Sequence, residues 1–503
     1  MLTSIARKFL AKRFRELENY SVDFENIQRE QLKSLLCNAS KTEFGRTFKF
    51  DEITSPESFS ERVPIIEYDD ISPQIERMLK GEENVLWKGK IKHFAQSSGT
   101  TSAKSKYLPI SKQSLKTMHY RGVYDAMALY FHLNPTSKFL TGKSLVVGAG
   151  KTNINDQGSH IGLLSGMLTE FGNPILGLFR EPSYKTCMIP DFSEKIEDML
   201  PRIITKNMVS ISGIPSWYQV LFYRLLDYTK KDNILDIWPN LEVFFHGGVS
   251  FEPYREFFKT MLPSDSMNYF EIYNASEGFF GLQNDFSDPS LLLMLDYGIF
   301  YEFIPLEDIE NEQPKTIPLW EVEKGKPYAM IVTNNSGLWR YNLGDVVQFT
   351  SIKPYKIQIV GRTKHYLNLC GEELMVGNAD TAIAVACEKT NSKVVHYTAT
   401  AIFATAKKNA HHKWMIEFDK APESLADFIQ IFDKALCSAN SDYESKRTNN
   451  IALDLPEIVN ARKNLFADWM NQRGITSAQQ KIPRLQQKND LMNELITLNQ
   501  KSH

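Results

Sequence analysis

Long apolar runs are absent from this sequence: no stretch of about 18 apolar residues occurs, so no segment is predicted to span a membrane. Net charge is almost absent too, because 58 Lys and Arg nearly balance 60 Asp and Glu and leave a formal charge of −2. The chain therefore lacks the basic field that attracts nucleic acid or an anionic lipid surface. We expect no nucleic-acid partner and no membrane partner, and any polyanionic ligand must be bound locally.

Cysteine is scarce, and its spacing excludes the common cysteine frameworks. The five cysteines are odd in number, and none forms a C-x-x-C pair of the kind that binds zinc; they are Cys37, Cys187, Cys370, Cys387 and Cys437. Reduced thiols in a cytoplasmic protein are the simplest interpretation. Internal repeats and low-complexity tracts are missing as well, and nothing in the sequence specifies an oligomeric state.

The first 20 residues are basic and carry apolar side chains at helical spacing. A cleaved transit peptide would share these properties, but Glu16 and Glu18 argue against one, and no small-residue cleavage site follows. We therefore predict a surface helix that packs on the body of the protein.

Apolar residues make up 42% of the chain, which is enough to form a sizeable core. A chain of 503 residues is expected to fold into more than one domain. Apolar segments that end in glycine alternate with helical segments up to about residue 290, which predicts an α/β fold with a mainly parallel sheet. Short strands without helices follow and predict antiparallel hairpins in a β-barrel-like subdomain. Beyond Cys370 the pattern is α+β. We predict a large N-terminal domain, residues 1–365, and a small C-terminal domain, residues 366–503.

The segment 96–110, QSSGTTSAKSKYLPI, concentrates hydroxyl groups and glycine in one loop and then adds two lysines. Such a loop can be an ordinary solvated turn. It can also bind phosphate, because glycine lets backbone N–H groups approach an anion while hydroxyls and lysine add donors and charge. The loop alone does not decide between these alternatives.

Four further motifs have ordinary interpretations when each is taken alone. Glu277 in YNASEG follows a predicted strand, Gly247 and Gly248 in HGGVS end another, and Asp345 in WRYNLGDVV lies in a predicted turn. Lys481 in QQKIPRL lies in a proline-containing loop near the C-terminus. Isolated short motifs of this kind are most often solvated turns, and His246 beside the glycine pair is more often a packed histidine than a catalytic base.

The order of the five motifs is more specific than any one of them. SSGTTSAKSKYLPI, IWPNLEVFFHGG, YNASEGFFG, YNLGDVV and PEIV…GITSAQQKIPR follow one another across some 400 residues. In this order the chain resembles the plant auxin-responsive acyl-acid amido synthetases, the Gretchen Hagen family of the adenylate-forming superfamily. Plant members usually have Arg where this chain has Asn342, and a second serine where it has Ala275. These differences and the shorter chain suggest a bacterial-type branch.

The resemblance implies an adenylate-forming enzyme that uses ATP and Mg²⁺. Lys481 and Glu277 would be catalytic, with Glu277 as the metal ligand, and Asp345 would bind the ribose hydroxyls. The residues implied in ATP binding are Ser97, Ser98, Gly99, Thr100, Thr101, Ser102, Lys106 (or Lys104), Gly247, Gly248, Tyr273, Ser276, Asp345 and Arg362. Arg362 would also lie at the hinge between the domains.

The implied reaction activates a small carboxylic acid as an acyl-adenylate and transfers the acyl group to the amine of an amino acid. Thioester formation with coenzyme A is an alternative within the superfamily, and a non-catalytic nucleotide-binding protein is an alternative outside it. A long helix is predicted from Ser111 to Leu133, with Ser111 or Ser114 as its cap. It is a candidate wall of the acyl pocket, where Arg121 and Tyr124 would contact the substrate, although its aromatic side chains are equally suited to a core.

Overall fold

In a computed structural model, the chain divides into two compact units. The first unit comprises residues 1–343 and 347–358, and the second comprises 344–346 and 359–503. The residues that the structure describes are 13–97, 106–148, 152–172, 177–189, 192–248, 251–309, 311, 313–362, 366–367, 374–402, 410–440, 443–444, 447, 453–473, 482–486 and 489–500.

The first unit begins with helices. Residues 13–18 are helical, and the rest of the predicted N-terminal helix lies outside the described residues. Ser55 caps one of the early helices through the N–H of Ser58, and a proline occupies its first turn, which is the favoured start of a helix. The helices of this region are Phe24–Ala39, Glu43–Thr47, Pro56–Arg62 and Tyr68–Leu79.

The later helices of the first unit lie between strands. Ser111 caps the helical segment that follows the hydroxyl-rich loop, since its Oγ accepts from the N–H of Ser114 at 2.8 Å. That segment runs through a π-helical stretch, Leu115–Tyr120, into an α-helix and ends at Leu133, as predicted. The α-helices are Lys112–Ser114, Arg121–Leu133, Leu164–Glu170, Tyr184–Cys187, Phe192–Ile203, Pro215–Thr229 and Arg255–Met261.

A twelve-stranded sheet forms the centre of the fold. Its order is β13-β12-β14-β15-β16-β11-β10-β9-β8-β7-β3-β6, and the segment from β9 to β6 is parallel. The strands are β3 Lys143–Val146, β6 Arg180–Glu181, β7 Met208–Gly213, β8 Val243–Gly247, β9 Asn268–Asn274, β10 Phe279–Gln283, β11 Leu291–Leu293, β12 Ile299–Pro305, β13 Ile317–Pro318, β14 Pro327–Asn334, β15 Tyr341–Ile352 and β16 Tyr355–Arg362.

The hairpins predicted after residue 290 continue the parallel strands in this same sheet, because β10 pairs antiparallel with both β9 and β11. A smaller sheet has the order β2-β1-β5-β4 and carries the hydroxyl-rich loop. Its strands are β1 His93–Ser97, β2 Lys106–Ile110, β4 Asn153–Ile154 and β5 His160–Gly162. Two large apolar clusters form the core of the first unit, one of them beneath the helices that cover β7 and β8.

The second unit is α+β, with its own apolar core around Trp414 and Phe432. A four-stranded sheet has the order β21-β20-β19-β22, and a short β17–β18 ladder precedes it. The strands are β17 Tyr366–Leu367, β18 Leu374–Met375, β19 Lys393–Ile402, β20 His411–Lys420, β21 Glu457–Ala461 and β22 Leu485–Gln486. The helices are Val376–Thr390, Leu425–Ala439, Leu465–Gln472 and Asp490–Gln500.

The predicted fold class, α/β with a large N-terminal and a small α+β C-terminal domain, is confirmed. The cysteines that the structure describes form no disulfide: Cys37, Cys187, Cys387 and Cys437 are free thiols. Within the described residues, the helices are too short or too polar to cross a membrane.

Candidate active site

The hydroxyl-rich loop connects two antiparallel strands of the small sheet. Ser97 ends β1 and lies opposite Lys106, which begins β2. The Lys106 ammonium lies 5.2 Å from the centre of the Tyr68 ring, and the Tyr68 hydroxyl accepts from the N–H of Tyr107 at 2.8 Å. Both ends of the loop are thus fixed, Lys106 against an aromatic ring. Ser98, Gly99, Thr100, Thr101, Ser102 and Lys104 lie outside the described residues.

The glycine pair lies where β8 ends, at the carboxyl edge of the parallel strands. A Cβ on Gly247 would lie 2.1 Å from the carbonyl oxygen of Ile272 on β9, so a side chain there would displace the neighbouring strand. Gly248 has φ +77°, a left-handed conformation that favours glycine. The two glycines therefore let β8 approach β9 closely and leave backbone without side chains at the carboxyl edge of the sheet. Ligands of parallel α/β sheets bind at this edge.

Glu277 lies in the tight turn that joins β9 to β10. The N–H of Ala275 donates to the carbonyl of Gly278 at 2.8 Å, and the N–H of Gly278 donates back at 3.3 Å, so Ser276 and Glu277 occupy the tip. Both tip residues are partly exposed. The turn is supported from outside, because the Asn334 side chain donates to the Glu277 carbonyl at 2.6 Å.

Tyr273, on the strand before this turn, is largely buried. Its ring is 7% exposed and lies 4.9 Å from the ring of Phe280, measured between centroids. Its predicted contact with adenine stays a prediction.

A second carboxylate, Glu67, lies in the same polar region and was not identified from the sequence. Burial raises the pKa of the Tyr341 hydroxyl, and the negative charges of Glu277 and Glu67 raise it further. The Asn342 side chain donates to Glu67 at 2.7 Å. Asn342 therefore orients this carboxylate. In the sequence, Glu67 is hidden in the acidic run EYDD, which predicts only a helix start.

Asp345 and Arg362 belong to the second unit and pair with each other. The Arg362 Nε lies 2.7 Å from an Asp345 carboxylate oxygen; the Asp345 side chain is 8% exposed and that of Arg362 is 49% exposed. The guanidinium therefore fixes the orientation of the buried carboxylate, which is the group predicted to accept hydrogen bonds from ribose.

The helix Arg121–Leu133 uses its first residue in a structural ion network. Arg121 donates to the Asp296 carboxylate at 2.7 Å, and Arg13 donates to both Asp296, at 2.7 Å, and Asp125, at 2.7 Å. Tyr124, by contrast, is 41% exposed. The substrate contacts of these residues stay predictions, but the Arg121 guanidinium is already engaged by a carboxylate.

Two buried histidines lie near the motifs and are held neutral. His119 is in the π-helical stretch, where its Nδ1 lies 3.1 Å from the Asn274 side-chain oxygen, and burial lowers its pKa to about 4. His246 stacks on Phe251 with ring centroids 4.2 Å apart, and burial lowers its pKa to about 3. His246 is therefore a packed histidine, as interpreted from the sequence, whereas the approach of His119 to the Glu277 turn left no signal in the sequence.

The predicted ligand of Mg²⁺ is a single carboxylate, that of Glu277. Among the described residues, no three His, Cys, Asp or Glu side chains are grouped as a metal cage. Mg²⁺ needs no such cage, because it is bound through one or two carboxylates together with substrate phosphate oxygens. Glu277 at the tip of a partly exposed turn suits this mode of binding.

Lys481 lies outside the described residues, but the chain directly after it is anchored in the second unit. Arg484 donates to both carboxylate oxygens of Asp380 at 2.8 and 2.6 Å, and Leu485 pairs with Ala399 of β19. The Thr398 hydroxyl donates to the carbonyl of Pro483 at 2.7 Å. The segment that follows the lysine is therefore part of the four-stranded sheet of the second unit.

Two solved structures share this fold over nearly the whole chain. The structure of AtGH3.15 acyl acid amido synthetase in complex with 2,4-DB superposes with a TM-score of 0.77 at 19% identity, covering 97% of this chain and 95% of that one. A 2-hydroxyisobutyryl-CoA ligase in the postadenylation state superposes with a TM-score of 0.59 at 13% identity, covering 94% and 92%. These likenesses establish the fold.

The chain belongs to the GH3 family. The profile of the GH3 family N-terminal domain matches residues 13–196 and 192–267, that of the central domain matches 292–362, and that of the C-terminal domain matches 377–490. The predicted family is thereby confirmed, whereas its bacterial-type branch stays a prediction.

Curated relatives match along nearly their whole length. The probable indole-3-acetic acid-amido synthetase GH3.1 of Arabidopsis thaliana is 25% identical, over 94% of this chain and 91% of its own. The jasmonoyl–L-amino acid synthetase JAR6 of Nicotiana attenuata is 24% identical, over 96% and 95%.

Proposed function

We propose that this protein is an ATP-dependent acyl-acid amido synthetase, which activates a small carboxylic acid as an acyl-adenylate and transfers it to the amine of an amino acid. The observation that carries the proposal is the ordered match of all three GH3 domain profiles from residue 13 to residue 490. Two relatives that match over more than nine-tenths of both chains are a probable indole-3-acetic acid-amido synthetase and a jasmonoyl–L-amino acid synthetase. The adenylate-forming class agrees with the fold.

The reaction needs activation because a carboxylate is a poor electrophile. Attack of the carboxylate on the α-phosphorus of ATP releases pyrophosphate and leaves an acyl-adenylate, which the amine then attacks to form the amide and release AMP. A bound Mg²⁺ supplies charge neutralisation at the phosphate oxygens. The protein's own contribution is positioning and electrostatic stabilisation around an in-line displacement.

Each motif takes one part of this task. The hydroxyl and N–H groups of Ser97–Ser102, with Lys106, hold the β- and γ-phosphates, and Glu277 provides the carboxylate for the metal. The bare backbone of Gly247 and Gly248 accommodates the flat adenine, with Tyr273 and Ser276 beside it. Asp345 accepts hydrogen bonds from the ribose hydroxyls, oriented by its 2.7 Å contact with Arg362.

Lys481 acts on the reacting groups from the C-terminal domain. Its ammonium stabilises charge that develops in the transition state, which is usually the largest catalytic term. A domain that closes over the site also excludes water, and an acyl-adenylate requires this because it hydrolyses readily. The free cysteines support a cytoplasmic location.

The reaction is tested by measuring pyrophosphate release with a panel of carboxylic acids. We expect release to require ATP, Mg²⁺ and an acid, and an amide to appear when an amino acid is added. A product thioester formed only with coenzyme A would favour the alternative ligase, and tight ATP binding without pyrophosphate release from any acid would favour a non-catalytic nucleotide-binding protein.

Replacement of Asp345 should affect nucleotide binding, whereas replacement of Glu277 should affect turnover. Asp345→Ala is expected to weaken ATP binding about 10- to 100-fold, since it removes a charged acceptor of two hydroxyl donors. Glu277→Ala is expected mainly to lower turnover, because the metal loses a ligand while the nucleotide keeps its other contacts. Calorimetric ATP binding and steady-state pyrophosphate release separate the two.

The exposed Asp265 provides a matched control, and Asp265→Ala should leave both parameters unchanged. If Asp345→Ala and Glu277→Ala both matched the wild type, the assignment of these motifs to the nucleotide site would be wrong.

A further inference from the structure

Asn334 ends β14 and lies outside the five motifs, yet it holds the turn that carries Glu277. Its side chain is 1% exposed. Its Nδ2 donates to the carbonyl oxygen of Glu277 at 2.6 Å. Its Oδ1 accepts from the N–H of Ser336 at 2.8 Å and from that of Leu338 at 3.2 Å. One buried carboxamide therefore joins the Glu277 turn to the loop after β14.

The backbone of the Glu277 turn explains why it needs this support. Turns with two residues at the tip are most stable when at least one tip residue has positive φ, because this matches the twist of the flanking strands. Neither Ser276 nor Glu277 has a positive φ. The turn is therefore not of the type that the strands alone favour, and an external donor to the Glu277 carbonyl stabilises it.

The loop that carries Asn334 is itself rigid. The Ser111 hydroxyl donates to the carbonyl of Asn335 at 2.7 Å, and the Ser336 hydroxyl donates to the hydroxyl oxygen of Ser114 at 2.7 Å. These contacts are buried and join the loop to the start of the helix that follows the hydroxyl-rich loop. The loop after β14 is therefore held in place, and Asn334 holds the Glu277 turn against it.

We infer that Asn334 is a positioning residue for Glu277 and sets the affinity of the site for Mg²⁺. The inference rests on the proposed function, in which the Glu277 carboxylate is a metal ligand. Residues that orient a metal ligand typically change metal affinity or activity by about 10- to 100-fold when they are replaced. Asn334 acts at the backbone of Glu277, so its loss lets the carboxylate move although the carboxylate itself is retained.

The test compares Asn334→Asp, Asn334→Ala and a matched control. Asn334→Asp keeps an acceptor for the loop N–H groups but has no donor for the Glu277 carbonyl, whereas Asn334→Ala removes both. The control is Asn378→Asp in the second unit, where the asparagine likewise donates to a backbone carbonyl, that of Ala439 at 2.9 Å, and accepts from the N–H of Met375 at 2.9 Å. Any loss of stability or activity that an Asn→Asp substitution causes by itself is therefore measured in the control.

Binding of Mn²⁺, as a spectroscopic substitute for Mg²⁺, is measured by electron paramagnetic resonance with a non-hydrolysable ATP analogue present. Both Asn334 variants are expected to need about 10- to 100-fold more metal for half-saturation, and Asn378→Asp the wild-type concentration. The Mg²⁺ dependence of pyrophosphate release should shift in parallel. Wild-type metal binding in both Asn334 variants would overturn the inference and leave the proposed function standing. No nucleotide-dependent metal binding by the wild type would overturn the proposed function, and the inference with it.

Discussion

Replacing Lys481 with alanine should lower adenylate formation by about 10²–10³-fold while Mg·ATP binds almost as well as to the wild type. In the proposed function the ground-state contacts of the nucleotide come from the Ser97–Ser102 loop, Glu277 and Asp345, and Lys481→Ala leaves these residues in place. What is lost is an oriented cation that acts on charge developing in the transition state, worth about 2.7–4 kcal/mol. Isotope exchange between ATP and pyrophosphate measures the first effect, and calorimetry measures the second.

Capture of a supplied acyl-adenylate by the amine should be spared in the same variant, because pyrophosphate has already left. Lys434, exposed on the helix Leu425–Ala439 of the same unit, provides the control, and Lys434→Ala should behave as the wild type in each assay. Equal losses in exchange and in amide formation would indicate a structural role for Lys481. An unchanged exchange rate would remove Lys481 from the site.

The architecture could be predicted because its signals are local. Strands that end in glycine, such as β8 at Gly247, alternate with helices, and that alternation predicts parallel strands. The helical cap at Ser111 follows from the same kind of local chemistry. The joining of the antiparallel strands into one twelve-stranded sheet has no such signal, because it depends on pairing between strands far apart in the sequence, such as β11 with β16.

The motifs of the candidate site could be proposed from the sequence because nucleotide chemistry restricts residue type and order, and their roles stay predictions. Glu277 is a carboxylate in a turn, whereas the turn predicted around Asp345 is wrong, because Asp345 lies within β15. The glycine pair is a backbone requirement that the structure explains sterically. The residues that hold these motifs in place could not be predicted from the sequence. Asn334 and His119 contact the Glu277 turn through long-range packing, and an asparagine or histidine inside an apolar segment has the same appearance in the sequence whether or not it does so.

Arg340 shows how a motif can mix binding and structural residues. It stands in WRYNLGDVV, five positions before Asp345, yet its guanidinium is fully used inside the first unit. The side chains of Arg340 and Glu302 are each 5% exposed and lie 3.0 Å apart. Arg340 also donates to the carbonyl of Ser60 at 2.8 Å and to the hydroxyl of Thr316 at 2.6 Å. It fastens the segment before Val63 to the sheet.

Arg340→Met is accordingly expected to destabilise the first unit by about 3–5 kcal/mol, since it leaves the Glu302 carboxylate buried without a cation. This is a large part of the roughly 5–15 kcal/mol that stabilises a typical domain. Calorimetric unfolding measures the loss. The exposed Arg77, which pairs with Glu43 and Glu82 at the surface, is the matched control, and Arg77→Met should barely change the unfolding temperature.

A second substitution separates the missing contact from the stranded charge. If the cost of Arg340→Met comes mainly from the uncompensated carboxylate, Arg340→Met combined with Glu302→Leu should be more stable than Arg340→Met alone, because no charge then remains buried. If the cost comes mainly from the lost hydrogen bonds to Ser60 and Val63, the second substitution should add to the damage. Unfolding of Arg340→Met at the wild-type temperature would show that the pair contributes nothing, which its burial and its 3.0 Å separation make the least expected result.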